Sequence, residues 1–176
     1  MYIGMNRPNQ IRVVDPTTGL ISTVATLPGF VSGMQLLNDA TLVYTDSRSS
    51  VYQVDLVSGV VTTVASGFNT PRDVAVLPNG DLVVADSEAN RIYRVDASGT
   101  VSVLAGTGVA STAITDGVDA QIAPLYKPYG VDVDDDGNVI IAGRLQNAVR
   151  LVDVNGIIHT IAGDGIRADS GDGGPA

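Results

Sequence analysis

A Val-Asp dipeptide recurs at Val14-Asp15, Val54-Asp55, Val95-Asp96 and Val152-Asp153, each time in the same local context. Three or four residues later comes Gly19, Gly59, Gly99 or Gly156. A β-branched or Leu residue plus Ala then follows, as Val24-Ala25, Val64-Ala65, Leu104-Ala105 and Ile161-Ala162. These alanines lie 40, 40 and 57 residues apart. A recurring interval of this size marks a repeat architecture, in which each unit buries its apolar surface against the next. The longer last interval holds an insertion between Thr107 and Tyr126.

The clearest unit runs from Pro71 to Gly106 and reads as four short strands, Asp73–Leu77, Asp81–Asp86, Arg91–Asp96 and Thr100–Ala105. Each run is rich in Val, Leu, Ile or Tyr, and each gap holds Gly, Pro, Asn, Asp or Ser, the pattern of an antiparallel meander. Second strands such as Leu42-Val43-Tyr44, Leu82-Val83-Val84 and Val139-Ile140-Ile141 are apolar throughout, as strands covered on both faces are. In the third strands the aliphatics Ile11, Val51, Ile92 and Val149 are followed by Arg12, Tyr52, Tyr93 and Arg150. Neighbours along a strand point to opposite faces, so one face packs aliphatics and the other packs long amphipathic side chains. Such sheets, stacked face to face, make an all-β propeller of four-stranded antiparallel blades. The 176 residues divide into about four units, 1–30, 31–70, 71–127 and 128–176. Met1-Tyr2-Ile3-Gly4 aligns with second strands, so the first unit is expected to lack its inner strand. Such a chain is either a piece of a longer propeller or pairs with another copy.

The residues carry a family resemblance. Pro71-Arg72-Asp73-Val74-Ala75-Val76 and Pro128-Tyr129-Gly130-Val131-Asp132-Val133 resemble the opening of NHL repeats, and Val83-Val84-Ala85-Asp86-Ser87 with Asn90-Arg91-Ile92 resembles their middle. Ala105-Gly106-Thr107-Gly108, Ile161-Ala162-Gly163-Asp164-Gly165 and Gly171-Asp172-Gly173-Gly174-Pro175-Ala176 resemble the linkers between blades of NHL propellers. The resemblance implies a propeller fold and favours an extracellular or periplasmic setting. It implies no single activity, because NHL domains include protein-binding, RNA-binding and lyase members.

Composition limits the chemistry. The formal charge is −9 and only 5 % of residues are aromatic, which argues against nucleic acid and anionic membrane as partners. No apolar run approaches the length of a spanning helix, and MYIGMNRPNQ lacks the pattern of a signal peptide. With no Cys and one His, a thiolate or His-rich metal site of the kind NHL-type lyases use is not expected, and no cofactor is expected either. His159 falls in a fourth strand, away from the mouths of the ring, which leaves it without a triad role. Asp132-Val133-Asp134-Asp135-Asp136-Gly137 has the alternating acids of a calcium loop, but Gly143 stands where the bidentate Glu belongs, and a solvated turn is the expectation.

Asp46 and Asp86 end second strands, where a carboxylate can cap the following turn or point toward a mouth of the ring. Loops expected on one face carry Arg7, Arg48, Arg72, Lys127, Arg144 and Arg167, together with Tyr126, Tyr129 and the insertion. Turns of the opposite face carry Asp15, Asp39, Asp55, Asp81, Asp96, Asp134, Asp135, Asp136 and Asp153. Function gathers on loops held by a rigid scaffold, so Asp46, Arg48, Arg72, Asp86, Lys127, Tyr129 and Arg144 are the candidate binding residues. The expectation is a non-catalytic scaffold for a protein or small ligand, completing its ring with another copy of itself. The alternative is a lyase or hydrolase with a metal in the central channel.

Overall fold

The computed structural model describes residues 1–167, and the Gly171–Ala176 linker motif lies outside them. The described residues contain strands and no helix. Three strands form the first sheet, β1 (Tyr2–Asn6), β2 (Asn9–Val14) and β3 (Ile21–Thr26). The second sheet holds β4 (Met34–Asn38), β5 (Thr41–Thr45), β6 (Ser50–Asp55) and β7 (Val61–Ser66). The third holds β8 (Pro71–Val76), β9 (Leu82–Asp86), β10 (Arg91–Val95) and β11 (Val101–Ala105). The fourth holds β13 (Pro128–Val133), β14 (Val139–Gly143), β15 (Ala148–Val152) and β16 (Ile157–Ala162). Every pairing is antiparallel between sequence neighbours, apart from one outer addition to the fourth sheet.

The repeating Ala has a structural reason. Ala25, Ala65, Ala105 and Ala162 pair with Ile11, Val51, Ile92 and Val149, and in all four sheets a bulge follows that pair directly. A bulge bends the outer strand and increases its twist, and a small side chain opposite leaves room for the bend. The repeating Asp is a turn device. Asp55 Oδ1 accepts hydrogen bonds from the N–H groups of Val57 and Ser58, and Asp15, Asp96 and Asp153 do the equivalent at the same turn. The acid-rich stretch after β13 is a turn as well, with Asp134 Oδ1 accepting from the N–H groups of Asp136 and Asn138.

The apolar side chains form three cores, each between consecutive sheets. Ile11, Leu42, Tyr44 and Val54 fill the first. Val43, Val51, Val74, Leu82, Val84 and Val95 fill the second. Val83, Ala85, Ile92, Val131, Val139, Ile141 and Val152 fill the third. Successive residues of a central strand thus serve opposite cores, which is why those strands lack polar alternation. Buried linker side chains join each core: Leu27 the first, Phe68 the second, and Ala120, Ala123 and Leu125 the third. Among the described residues no core joins the first sheet to the fourth, so four sheets share three interfaces and form an open arc.

On the fourth sheet Val139 and Ile141 are buried against the third, while Ile140 is only half-buried and Ala142 is exposed. The insertion departs from its expected place as a loop of the third unit. Val118–Asp119, as β12, pairs with β16 and adds a fifth, outer strand to the fourth sheet. Two side chains from the fourth sheet hold it. Arg150, fully buried, donates to the carbonyl of Thr115 and pairs with Asp116, and Gln146 donates to the carbonyls of Ala113 and Pro124. Ala120, Ala123 and Leu125 complete the seal over the third core.

Candidate functional site

Three of the candidate residues meet. Tyr129 stands at the start of β13, with the Arg72 guanidinium 5.1 Å from its ring centroid and that of Arg144 5.5 Å away. Arg72 comes from the start of β8 and Arg144 from the turn after β14, so adjacent sheets contribute to one cluster. The aromatic face attracts both cations and helps hold two like charges close together. Among the described residues, the ion pairs involve other bases: Arg94 with Asp81, Lys127 with Glu88, and Arg150 with Asp116. Tyr129 is 42 % exposed, and the cluster faces solvent.

The other candidates serve the scaffold or stand apart. Asp46 is buried, and its Oδ1 accepts from the N–H groups of Arg48, Ser49 and Ser50, capping the turn after β5. Its Oδ2 accepts from the Tyr52 hydroxyl at 3.3 Å. Asp86, also buried, reaches back to the preceding linker instead, accepting from the N–H groups of Asn69 and Thr70 at 2.7 Å each. Lys127 pairs with Glu88, and its backbone N–H donates to Asn90 Oδ1. Arg48 lies 5.8 Å from the Phe30 ring, on a different sheet from the Tyr129 cluster. His159, on β16, is partly exposed and 4.0 Å from Asp153.

Asp73 occupies the inner strand β8. Its Oδ1 accepts from the Val74 N–H and its Oδ2 from the Val131 N–H, which links the inner strands of the third and fourth sheets. Burial pushes its carboxyl above the ordinary value, against the pull of those two N–H groups. Burial also raises the Tyr44 hydroxyl, with Tyr52 and Asp46 adding to the effect. Among the described residues there is no group of three His, Cys, Asp or Glu side chains that could hold a metal ion.

Beside the cluster lies a groove of about 320 Å³ on the open side of the fourth sheet. Ala142, Val149, Ala162, Gly163, Asn147, Tyr129 and Arg144 are among the residues that line it. Sequence reasoning singled out Tyr129 and Arg144 as site residues but not Asn147 or Ala142. The available signal was positional: Asn147 precedes Ala148-Val149 as Asn90 precedes Arg91-Ile92.

Comparison with known proteins places the fold. Residues 68–93 match the NHL repeat. The chain is similar to a protein of unknown function from Bacteroides thetaiotaomicron, with a TM-score of 0.77 and 18 % identity over 93 % of this chain and 44 % of the other. It is similar to a chain of a nidogen/laminin complex, with a TM-score of 0.71 and 19 % identity over 93 % of this chain and 60 % of the other. It is also similar to virginiamycin B lyase from Staphylococcus aureus, with a TM-score of 0.66 and 15 % identity over 96 % of this chain and 52 % of the other. At these identities the likeness speaks for the fold alone. The chain spans about half the length of the solved structures it matches. It carries an NHL repeat at residues 68–93 and has the β-propeller fold, each of its sheets being a blade.

Proposed function

We propose that this chain is a non-catalytic NHL-type binding scaffold that recognises an anionic group through Arg72, Tyr129 and Arg144. The observation that carries the reading is the packing of two guanidinium groups against one exposed aromatic ring, in a protein of net charge −9. Holding two cations together costs Coulomb repulsion, and a carboxylate or phosphate bound between them removes that cost. The carboxylates that could have served acid–base chemistry on this face, Asp46 and Asp86, are buried and engaged by backbone N–H groups. Titration of the full chain with a hexaglutamate peptide, followed by calorimetry, tests this. Saturable binding that weakens with salt and disappears in the Arg72→Gln, Arg144→Gln double variant is expected. Equal binding by the double variant contradicts the reading.

The scaffold also closes its ring by self-association, the first blade of one copy stacking on the fourth blade of another. Support comes from the open arc, with three cores for four blades and a partly apolar outer face on the fourth. Large open sheet faces are surfaces that proteins cover, and a two-fold pair of arcs covers both ends at once.

A further inference from the structure

We infer that the cleft between the third and fourth blades, at the strand ends away from Arg72, Tyr129 and Arg144, is a binding site for a small aliphatic carboxylate. The cleft has a volume of about 380 Å³. Its floor is the apolar core of that interface, where Val139 and Val152 are buried and Leu77 and Leu104 pack against the same cluster. Arg94 and Ser102 from the third blade and Gln121 from the insertion supply polar groups. Apolar walls with a few convergent polar groups, at a junction between packed elements, are the usual makeup of a small-molecule site.

The other two blade interfaces close this space. A Cβ placed on Gly59 would lie 2.5 Å from the carbonyl oxygen of Val24, and one on Gly99 would lie 2.7 Å from that of Val64. The turn between β6 and β7 therefore lies directly against β3, and the turn between β10 and β11 lies against β7. Gly156 holds the same place in the turn between β15 and β16, and Leu104 stands where Val24 and Val64 do. Among the described residues nothing lies within 4 Å of a Cβ placed on Gly156. Its turn is bonded to the insertion instead. The Ala120 N–H donates to the Gly156 carbonyl at 2.8 Å, and the Gly117 N–H donates to that of Ile158 at 2.9 Å. The cleft opens where turn and outer strand no longer touch. It lies between two blades of one chain, so it does not depend on ring closure. The chain leaves the fourth blade at the other end of β16, where Gly163 packs on Asn147.

The groups facing the cleft select the ligand. Arg94 follows Ile92 by two residues in β10, so it faces the fourth blade as Ile92 does. It stands opposite Ser102 in the register of β10 and β11, which puts both side chains on that face. Arg94 Nε and Nη2 both bond to a single oxygen, Asp81 Oδ2. Its Nη1 has no partner among the described residues, and the side chain is 47 % exposed. A guanidinium carries more N–H donors than these two bonds use, so the edge formed by Nη1 and the far side of Nη2 can take a carboxylate. The Ser102 hydroxyl adds a further donor. Asp153 also lines the cleft, but its carboxylate is engaged. Its Oδ1 accepts from the N–H groups of Asn155 and Ile157, and its Oδ2 lies 4.0 Å from His159 Nε2. Donors beside an apolar floor fit a carboxylate head on an aliphatic chain and disfavour an amine.

The probe is sodium hexanoate, titrated at constant ionic strength into the full isotope-labelled chain and followed by amide NMR shifts. Saturable shifts are expected at Ser102, Leu104, Gln121, Val154 and Gly156, and none at Arg72 or Arg144. Hexylammonium, with the same chain and the opposite charge, should bind at least about tenfold more weakly. Arg94→Gln should weaken hexanoate binding by at least about tenfold. Because that change also unpairs Asp81, Ser102→Phe serves as a second variant. It fills the cleft from an exposed position and leaves Arg94 and Asp81 in place, and it should abolish the shifts with strand content unchanged by circular dichroism. Shifts that are absent, that do not saturate, that fall at Arg72 and Arg144 instead, or that persist in Ser102→Phe overturn the proposal, as does equal binding of hexylammonium.

Discussion

Five turn carboxylates give individual residues a measurable hold on the fold. Asp15, Asp55 and Asp153 are held below the ordinary value of 3.8 chiefly by the backbone N–H groups of Thr17, Ser58 and Ile157. Asp96 is lowered first by the Ser98 hydroxyl and Asp134 first by the Asn138 side chain. A carboxyl with a depressed folded pKa contributes stability above its unfolded pKa and loses it as pH falls through the folded value. Asp73 acts the other way: its raised pKa means that ionisation, as pH climbs from 3.8 through the folded value, works against the fold. The expected result is a urea midpoint that falls steadily once pH drops below about 4. Asp96→Ala should show a shallower acid limb than the wild type in the same titration. Backbone geometry adds a second residue-level test. Gly106 has φ of 97°, and a Cβ there would lie 2.5 Å from the Asn90 carbonyl oxygen. Gly106→Ala should therefore cost about 1–3 kcal/mol, read from chemical denaturation.

Elements differ in how they use the same pattern. Ile140 and Ile141 are adjacent in β14, yet Ile141 is fully buried in the third core and Ile140 lies on the open side. Ile141→Ala should destabilise the fold by about 2–5 kcal/mol, while Ile140→Asp should leave the folded arc intact and abolish self-association. Denaturation and sedimentation of the two variants separate these outcomes. The insertion rests on Arg150 and Gln146 rather than on a long ladder, since β12 is only two residues. Arg150→Ala removes the donor to Thr115 and the partner of Asp116. Amide exchange in residues 107–126 should then rise by at least about tenfold, with 71–105 unchanged, because local opening needs less free energy than global unfolding.

These differences mark what was legible in the sequence. The strands of each blade were legible because continuous apolar runs, Val-Asp turns and the paired Ala all follow from covalent neighbours and the bulge. The fifth strand was not, because two residues, Val118 and Asp119, carry no period. Arg72, Tyr129 and Arg144 were legible as loop residues of the basic face, while their meeting across two blades is a contact that spacing alone does not encode. Asp86 was expected to cap the turn that follows it and instead caps the linker before β8, since a long-range partner outcompetes the local one.

At the level of the whole molecule the open arc leaves two blade faces uncovered among the described residues. Four blades with three cores leave the outer face of β14 and β15 on one end and the free face of β1 and β2 on the other. The chain spans about half the length of the solved propellers it resembles. Each blade-on-blade contact would bury several hundred Å² of partly apolar surface, a gain on the order of 10 kcal/mol before ordering costs. Sedimentation equilibrium of the full chain at micromolar concentration is the most direct test. The account predicts a mass of twice 18.1 kDa that reverts to a single chain in Ile140→Asp. A cooperative, folded species of 18.1 kDa with no concentration dependence would contradict it.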